Sequence, residues 1–577
     1  MKMNSTDPIT DPKIDSTEVG GSTRRSLLRS AVFYAMFAGS GVSLSACGGG
    51  GSDSGGNSSP PESAGSVFKH GVASGDPLSD RVIVWTRVTA PAPGALNVDW
   101  EIASDETFGI VLARGTASTG PERDYTVKID IAGLQAASVY FYRFTTGTDR
   151  SPVGRTKTLP VGGVAQAKFA VVSCANFPGG YFNVYADIAK RADLDLVLHL
   201  GDYIYEYGRL GYASQLAFAL DRVSAPDHEV ITLQDYRLRH AQYRSDGDLR
   251  AMHARLPMIA VWDDHDLADN AWSGGAGNHD ESTEGSFAVR RTAAVQAYHE
   301  WLPTRLPDPA NPLKIYRSFD IGTLASLHML DTRLIGRDKQ LSLDQHLSGE
   351  SASTSRQMLG QVQSDWLAGR MAASAGVWQV LGQQVLMTRM AVPLSVATAI
   401  TLETLTAYVA AQTTPEPLRS DNQKALLAQP KAPYNMDAWD GYPAARDTVL
   451  RIAQSQGKNL ISLAGDTHNA WAGNLTSVDG QRVGVEFGAA SVSSPGFERL
   501  LPLISNDLLA DAFKRMVDDL RYAETSKRGY VVLTLTSAEA RSEYIEVSTV
   551  FSREFTVKTA ATLRVLPGVG NLQLLAA

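Results

Sequence analysis

Four short clusters carry the residues of this chain that could hold and use a cation. They are Ser173-Cys174-Ala175-Asn176, Gly201-Asp202-Tyr203-Ile204-Tyr205, Asp263-Asp264-His265-Asp266 with Asp269-Asn270 close behind, and Gly465-Asp466-Thr467-His468-Asn469. Each follows an apolar, β-prone run, so each is expected at the C-terminal end of a strand, where open α/β sheets bind ligands. Between them they offer thiolate, carboxylate, phenolate and imidazole.

Singly, each cluster has an ordinary explanation. Cys174 reads as a packed core cysteine, Asp202 as a turn residue, Tyr205 as a core aromatic and Asp263-Asp264 as a solvated loop. Asp466 and His468 are more pointed, because an i, i+2 pair on an extended end directs both groups one way. Jointly the clusters call for cations, since that many converging carboxylates would repel one another without them. Carboxylate and amide oxygens suit hard ions such as calcium or magnesium. A tyrosinate with a histidine and a thiolate suits a trivalent or redox metal. The ligand set therefore predicts a polynuclear centre with two kinds of metal.

Stepping outward, the runs that must position these clusters alternate between strand and helix. Lys168 to Cys174, Asp195 to Gly201, Pro257 to Trp262 and Asn459 to Ala464 read as the strands that deliver them. Ile315 to Ile321 and Leu324 to Leu330 read as a strand pair, and Trp378 to Met387, Val483 to Phe487 and Tyr530 to Leu535 as further strands. Helices are expected over Asn183 to Arg191, Thr232 to Ala254, Phe287 to Trp301, Arg356 to Ala373 and Ala444 to Gln456. Before this, Phe68 to about Pro160 is written in short alternating runs with Pro/Gly-rich turns, the grammar of a β-sandwich. Residues 165–577 are thus read as an α/β catalytic domain and 67–160 as an N-terminal β-sandwich. The apolar, threonine-rich run Pro393 to Gln412 could span a membrane by length, but a buried or lid helix is preferred.

The chain of 577 residues is long enough for a large core, and its net charge of -8 without any Lys/Arg run indicates no nucleic-acid surface. At the N-terminus, Arg24-Arg25 precede a short apolar run ending Leu44-Ser45-Ala46-Cys47. This resembles a twin-arginine export signal over 1–46 with a lipoprotein-type cleavage site, which makes the export machinery a partner and Cys47 a lipid-bearing residue. Residues 47–66 are a Gly/Ser-rich tether. The expected location is periplasmic or cell-surface. With Cys47 lipidated, Cys174 is the only other cysteine, and no internal disulfide is expected.

The segment His70 to Val88 (HGVASGDPLSDRVIVWTRV) and the motifs SCAN, GDYIYEY, WDDHD, LDTR and GDTHN, in this order, resemble the alkaline phosphatase D (PhoD-like) family. The resemblance implies an αββα core behind an N-terminal β domain, a site holding Fe(3+) with Ca(2+), and hydrolysis of phosphomonoesters and often diesters. It implies Cys174, Asp202, Tyr205 and His468 as iron ligands. Asp202 would bridge to the second metal, with Asp264, Asn270 and Asp466 as its candidate partners. Metallophosphatases more widely carry Gly-Asn-His-Glu/Asp where this chain has Asp263 to Asp266, which makes His265 the group nearest the leaving oxygen. The implied reaction is attack on a phosphate ester by a metal-activated hydroxide, with Asp202 and His265 as the catalytic pair. Two other readings stand beside it: a phosphodiesterase or phospholipase on the same metal site, and a non-catalytic surface lipoprotein that binds calcium and a ligand through its β domain.

Overall fold

A computed structural model describes residues 66–577. The export signal, Cys47 and nearly all of the tether lie outside the described residues.

Two sheets make the core. The larger has ten strands and is centred on a parallel trio, Ala167–Val172, Leu196–His199 and Met258–Ala260. All of these residues except Lys168 are buried, as expected for parallel strands covered on both faces. The second sheet has seven strands. Ala325–Met329, Trp378–Gly382, Asn459–Ala464 and Arg482–Gly488 run parallel in it. Val171, Leu198 and Ile259 of the first sheet share one hydrophobic cluster with Leu327, Val380 and Ile461 of the second. The neighbours Leu381 and Leu460 point the other way, onto Leu367 and Met371 of helix Gln361–Ala373 and Val449 and Leu450 of helix Pro443–Ser455. This two-residue alternation is what lets one sheet serve two apolar layers. Helices Asn183–Lys190 and Gly247–Arg255 cover the larger sheet through Val184, Ile188, Leu249 and Met252. The architecture is αββα.

The N-terminal β-sandwich is present, but one of its sheets is shared. Val72–Gly75 pairs in parallel with Met258–Ala260 through Gly75 and Met258, and Arg81–Arg87 and Thr126–Ala132 follow it at the edge of the ten-stranded sheet. The opposing sheet is built from Leu96–Ala103, Val111–Thr119, Val139–Thr146 and two short strands. Val82, Val84, Ile102, Tyr142 and Phe144 fill the space between the two.

Two expected helices are each split. The run Thr232 to Ala254 becomes Leu233–Arg244 and Gly247–Arg255, because the Asp246 carboxylate caps the second helix by accepting from the amides of Asp248 and Leu249. The run Pro393 to Gln412 becomes Leu394–Thr398 and Leu402–Thr413, with Thr401 starting the second in a capping box with Thr404. Leu405, Tyr408 and Ala411 form a buried stripe on that second helix, and Leu405 and Tyr408 share a small core with Phe513 and Trp471. Among the described residues no helix is long and apolar enough to cross a membrane.

Candidate metal centre

All four clusters stand at the C-terminal ends of parallel strands, three on the larger sheet and one on the smaller. The backbone turns abruptly there. Cys174, Asp202, Asn270, Asp466 and His468 all have positive φ, between 53° and 62°, a left-handed conformation that side chains other than Asn and Asp rarely adopt. Holding them so requires support, and the clusters support one another: Cys174 N–H donates to Gly201 O at 3.1 Å and Ala175 N–H to Asp202 O at 2.9 Å. Gly201, at φ +106°, is needed for the strand ends to meet, because a Cβ there would lie 2.4 Å from the Asp263 backbone nitrogen.

The turns bring the predicted ligands together. Ligand atoms of Cys174, Asp202 and His468 lie within 4.8 Å of one another, as do those of Asp202, Asp264 and His265, and those of Asp263, Asp264 and Asp466. Asp202 belongs to the first two groups and Asp264 to the last two. The Tyr205 hydroxyl joins the first group, 2.8 Å from Asp202 Oδ2 and 3.0 Å from His468 Nε2. Asn270 enters by its backbone, its N–H donating to Asp264 Oδ2 at 2.6 Å while its side-chain amide donates to Asp269.

Several observations fit this donor set to cations. His468 Nδ1 donates to Pro495 O at 2.9 Å, which leaves Nε2 as a lone pair facing the site. One phenol proton on Tyr205 cannot serve both that lone pair and Asp202. Asp263 Oδ2 and Asp264 Oδ1 are buried without a hydrogen-bond partner. Burial pushes the Asp202 carboxyl well above its ordinary range, and the nearby Asp264 and Asp263 add to this. Asp466 is raised to about 7, by burial first and against the pull of Arg333. Burial, with help from Asp202, also raises the Cys174 thiol. A cation would relieve each of these by replacing a proton.

His265 sits in the same pocket wall, its ring stacked on Tyr205 at 4.4 Å between centroids. The His265 backbone N–H donates to Asp202 Oδ1 at 3.2 Å, tying the third cluster to the second. Burial alone would lower its pKa, but Glu206, Asp264 and Asp202 outweigh that and hold it well above the ordinary histidine value.

Three acting residues carried no assigned role in the sequence reading. Arg333, within LDTR, is fully buried and paired with Asp263, with Asp437 Oδ2 at 2.7 Å, and with Asp466 Oδ1 at 2.8 Å. Asp331 of the same motif shapes the turn by accepting the amides of Arg333 and Leu334. Asp263 is the third, the partner of Arg333 rather than part of a solvated loop. Asp331-Thr332-Arg333 stands one residue past the strand Ala325–Met329 and is a fifth strand-end cluster.

Two stacked sheets with carboxylate, imidazole and thiol groups gathered over their parallel strand ends define the class, an αββα protein with a cation-type site between its sheets. Known proteins narrow it: the chain belongs to the PhoD-like phosphatase family, whose model matches residues 169–544, while the model of that family's N-terminal domain matches 55–160. It is 38% identical over 498 residues to alkaline phosphatase D of Bacillus subtilis (strain 168), covering 83% of this chain and 77% of that protein. A solved structure of PhoD matches with a TM-score of 0.74 at 33% identity, covering 90% of this chain and 94% of that one.

Proposed function

We propose that this chain is an exported, metal-dependent phosphatase that hydrolyses phosphomonoesters and accepts diesters, with Fe(3+) and Ca(2+) as its metals. The observation that carries the reading is the convergence of Cys174, Tyr205 and His468 around the Asp202 carboxylate, which also belongs to a second group with Asp264 and His265. Cys174, Asp202, Tyr205 and His468 would hold the iron. Asp202 would be shared with a second ion held by Asp264 and Asp466, with Asn270 beside them.

When bound, such ions supply Lewis-acid activation of water and neutralise charge on phosphoryl oxygens. The side chains do the rest. Asp202 sets the spacing of the two halves of the site. Arg333 keeps Asp263, Asp437 and Asp466 from repelling one another. His265 presents Nε2 as the proton donor to the departing oxygen. Ser173 is no nucleophile here, since its hydroxyl has no hydrogen-bond partner and no base beside it.

The test is Asp202→Asn, assayed on a monoester and a diester side by side with metal content measured on the same sample. Activity is expected to fall by at least about 10²-fold, with loss of bound metal. Wild-type turnover with full metal content would sink the reading. For export, the support is the Arg24-Arg25 signal and the Cys47 site. Replacing both arginines by lysine is expected to leave the protein in the cytoplasm, and unchanged export would remove that part of the proposal.

A further inference from the structure

Glu206 lies one residue beyond Tyr205 and is fully buried. Glu206 Oε2 is 2.8 Å from His265 Nδ1. Glu206 Oε1 accepts from the Asp269 backbone amide at 2.9 Å and from Asn278 Nδ2 at 2.8 Å. Asn278 is held in turn by Glu229, and Glu229 by the buried guanidinium of Arg290 at 2.7 Å. The carboxylate is thus fixed at both ends, and the ring it hydrogen-bonds is that of His265.

We infer that Glu206 is the positioning residue for His265: it accepts the Nδ1 proton, locks the ring in its stack on Tyr205, and so aims Nε2 at the leaving oxygen. The inference rests on the proposed role of His265 as the donor. In that step the bond from phosphorus to the leaving oxygen breaks and Nε2 passes its proton to that oxygen. Water supplies the oxygen that phosphorus gains, and the proton water releases restores the imidazole. With Nδ1 committed to Glu206, only Nε2 can take part. A free ring would divide its time between orientations that put carbon or the wrong nitrogen at the reacting atom.

The experiment compares two monoesters that differ in need for a proton donor: p-nitrophenyl phosphate, whose leaving group departs readily, and glycerol phosphate, whose alkoxide does not. In Glu206→Gln the amide cannot accept at both ends, so the His265 or the Asp269 bond is lost. The expected result is a fall in kcat of about 10²-fold or more on glycerol phosphate against a few-fold on p-nitrophenyl phosphate, with KM little changed. An equal loss on both substrates overturns the inference, and so does no loss in Glu206→Ala, which has no group left to hold the His265 ring. Glu206→Asp keeps the charge but shortens the reach by one methylene, and should show the same asymmetry more weakly, so a misfolded amide variant does not remove the test. A crystal structure of Glu206→Ala needs no turnover: the His265 ring is expected to leave the Tyr205 stack, and an unmoved ring overturns the inference. His265→Asn separates the two levels. If it loses both substrates alike, the role of His265 falls and the inference with it. If it shows the asymmetry and Glu206→Ala does not, the inference alone falls.

Discussion

Arg333 Nη2 lies 2.8 Å from Asp466 Oδ1 and 3.5 Å from Asp264 Oδ1, so a guanidinium stands against two of the carboxylates assigned to the second metal. Arg333, with Arg337 behind it on Asp437, supplies positive charge to a site whose acids, the buried Asp202, Asp263 and Asp264 and the half-buried Asp466, outnumber it. Arg333 therefore partly balances the acids before any ion binds.

This gives a prediction about stability. Arg333→Met leaves Asp263 and Asp466 without their cationic partner, while Asp437 keeps Arg337, a loss on the order of 3–5 kcal/mol for a broken buried ion pair. Added calcium is expected to restore part of the lost thermal stability of the variant, and more of it than calcium adds to the wild type. A variant as stable as wild type in chelator would show that the pairing contributes nothing.

A second prediction is optical. The phenol of Tyr205 is within 2.8 Å of Asp202 and within 3.0 Å of His468, and Ser494 Oγ donates to it at 2.7 Å. With the proposed iron(III) held by Tyr205, the purified protein is expected to show a visible tyrosinate charge-transfer band, and Tyr205→Phe is expected to abolish it. Measuring iron in the variant separates loss of the band from loss of the metal. A band that survives the substitution would place the chromophore elsewhere.

A third concerns acid. Burial lowers the pKa of His70, His199, His240 and His299 to about 3 and of His328 to about 4, and drives His253 well below its ordinary value. In the unfolded chain these rings take up protons near pH 6.5. The unfolded state then binds more protons than the folded state at pH values below that, so stability is full above pH 6.5 and is lost as pH falls toward 3. Each ring can remove up to about 1.4 kcal/mol per pH unit in that window. Denaturant titrations from pH 8 to pH 5 should show a steep loss below pH 6.5. His240 stacks on Trp301 with both ring nitrogens unpartnered, so His240→Phe is expected to flatten the slope by about one proton. An unchanged slope would mean that His240 does not titrate on unfolding.

The strands that deliver the ligands were legible because their apolar runs are fully buried and end abruptly at polar residues. Asn459–Ala464 was read to the residue, and Ala167–Val172 and Leu196–His199 to within two. The strand Val557–Val565 was not read. It lies near the sheet's edge with only its last residue buried, and partnership with Ala540–Val547 rather than any alternation of its own makes it a strand. Arg333 was missed for a different reason. Charge pairing across sheets links residues far apart in the chain, here Arg333 with Asp263, Asp437 and Asp466, and local spacing carries no trace of it. Glu206 was overlooked because it sits inside a motif whose neighbours Asp202 and Tyr205 already explained the motif's chemistry.

The ten-stranded sheet is drawn from both ends of the described chain. Val72–Gly75 waits for Met258–Ala260, and Ala167–Val172, which leads into Cys174, waits for Arg528–Leu535. Until that late strand is made, the strand leading into Cys174 has an open edge and the thiol turn lacks its contact with Ser491, Ser493 and Ser494. A growing chain therefore cannot present a finished site partway through synthesis. Closure of the sheet by that late strand is the condition for the candidate cation pocket to be complete, and any ion it takes would enter a chain that has already folded whole.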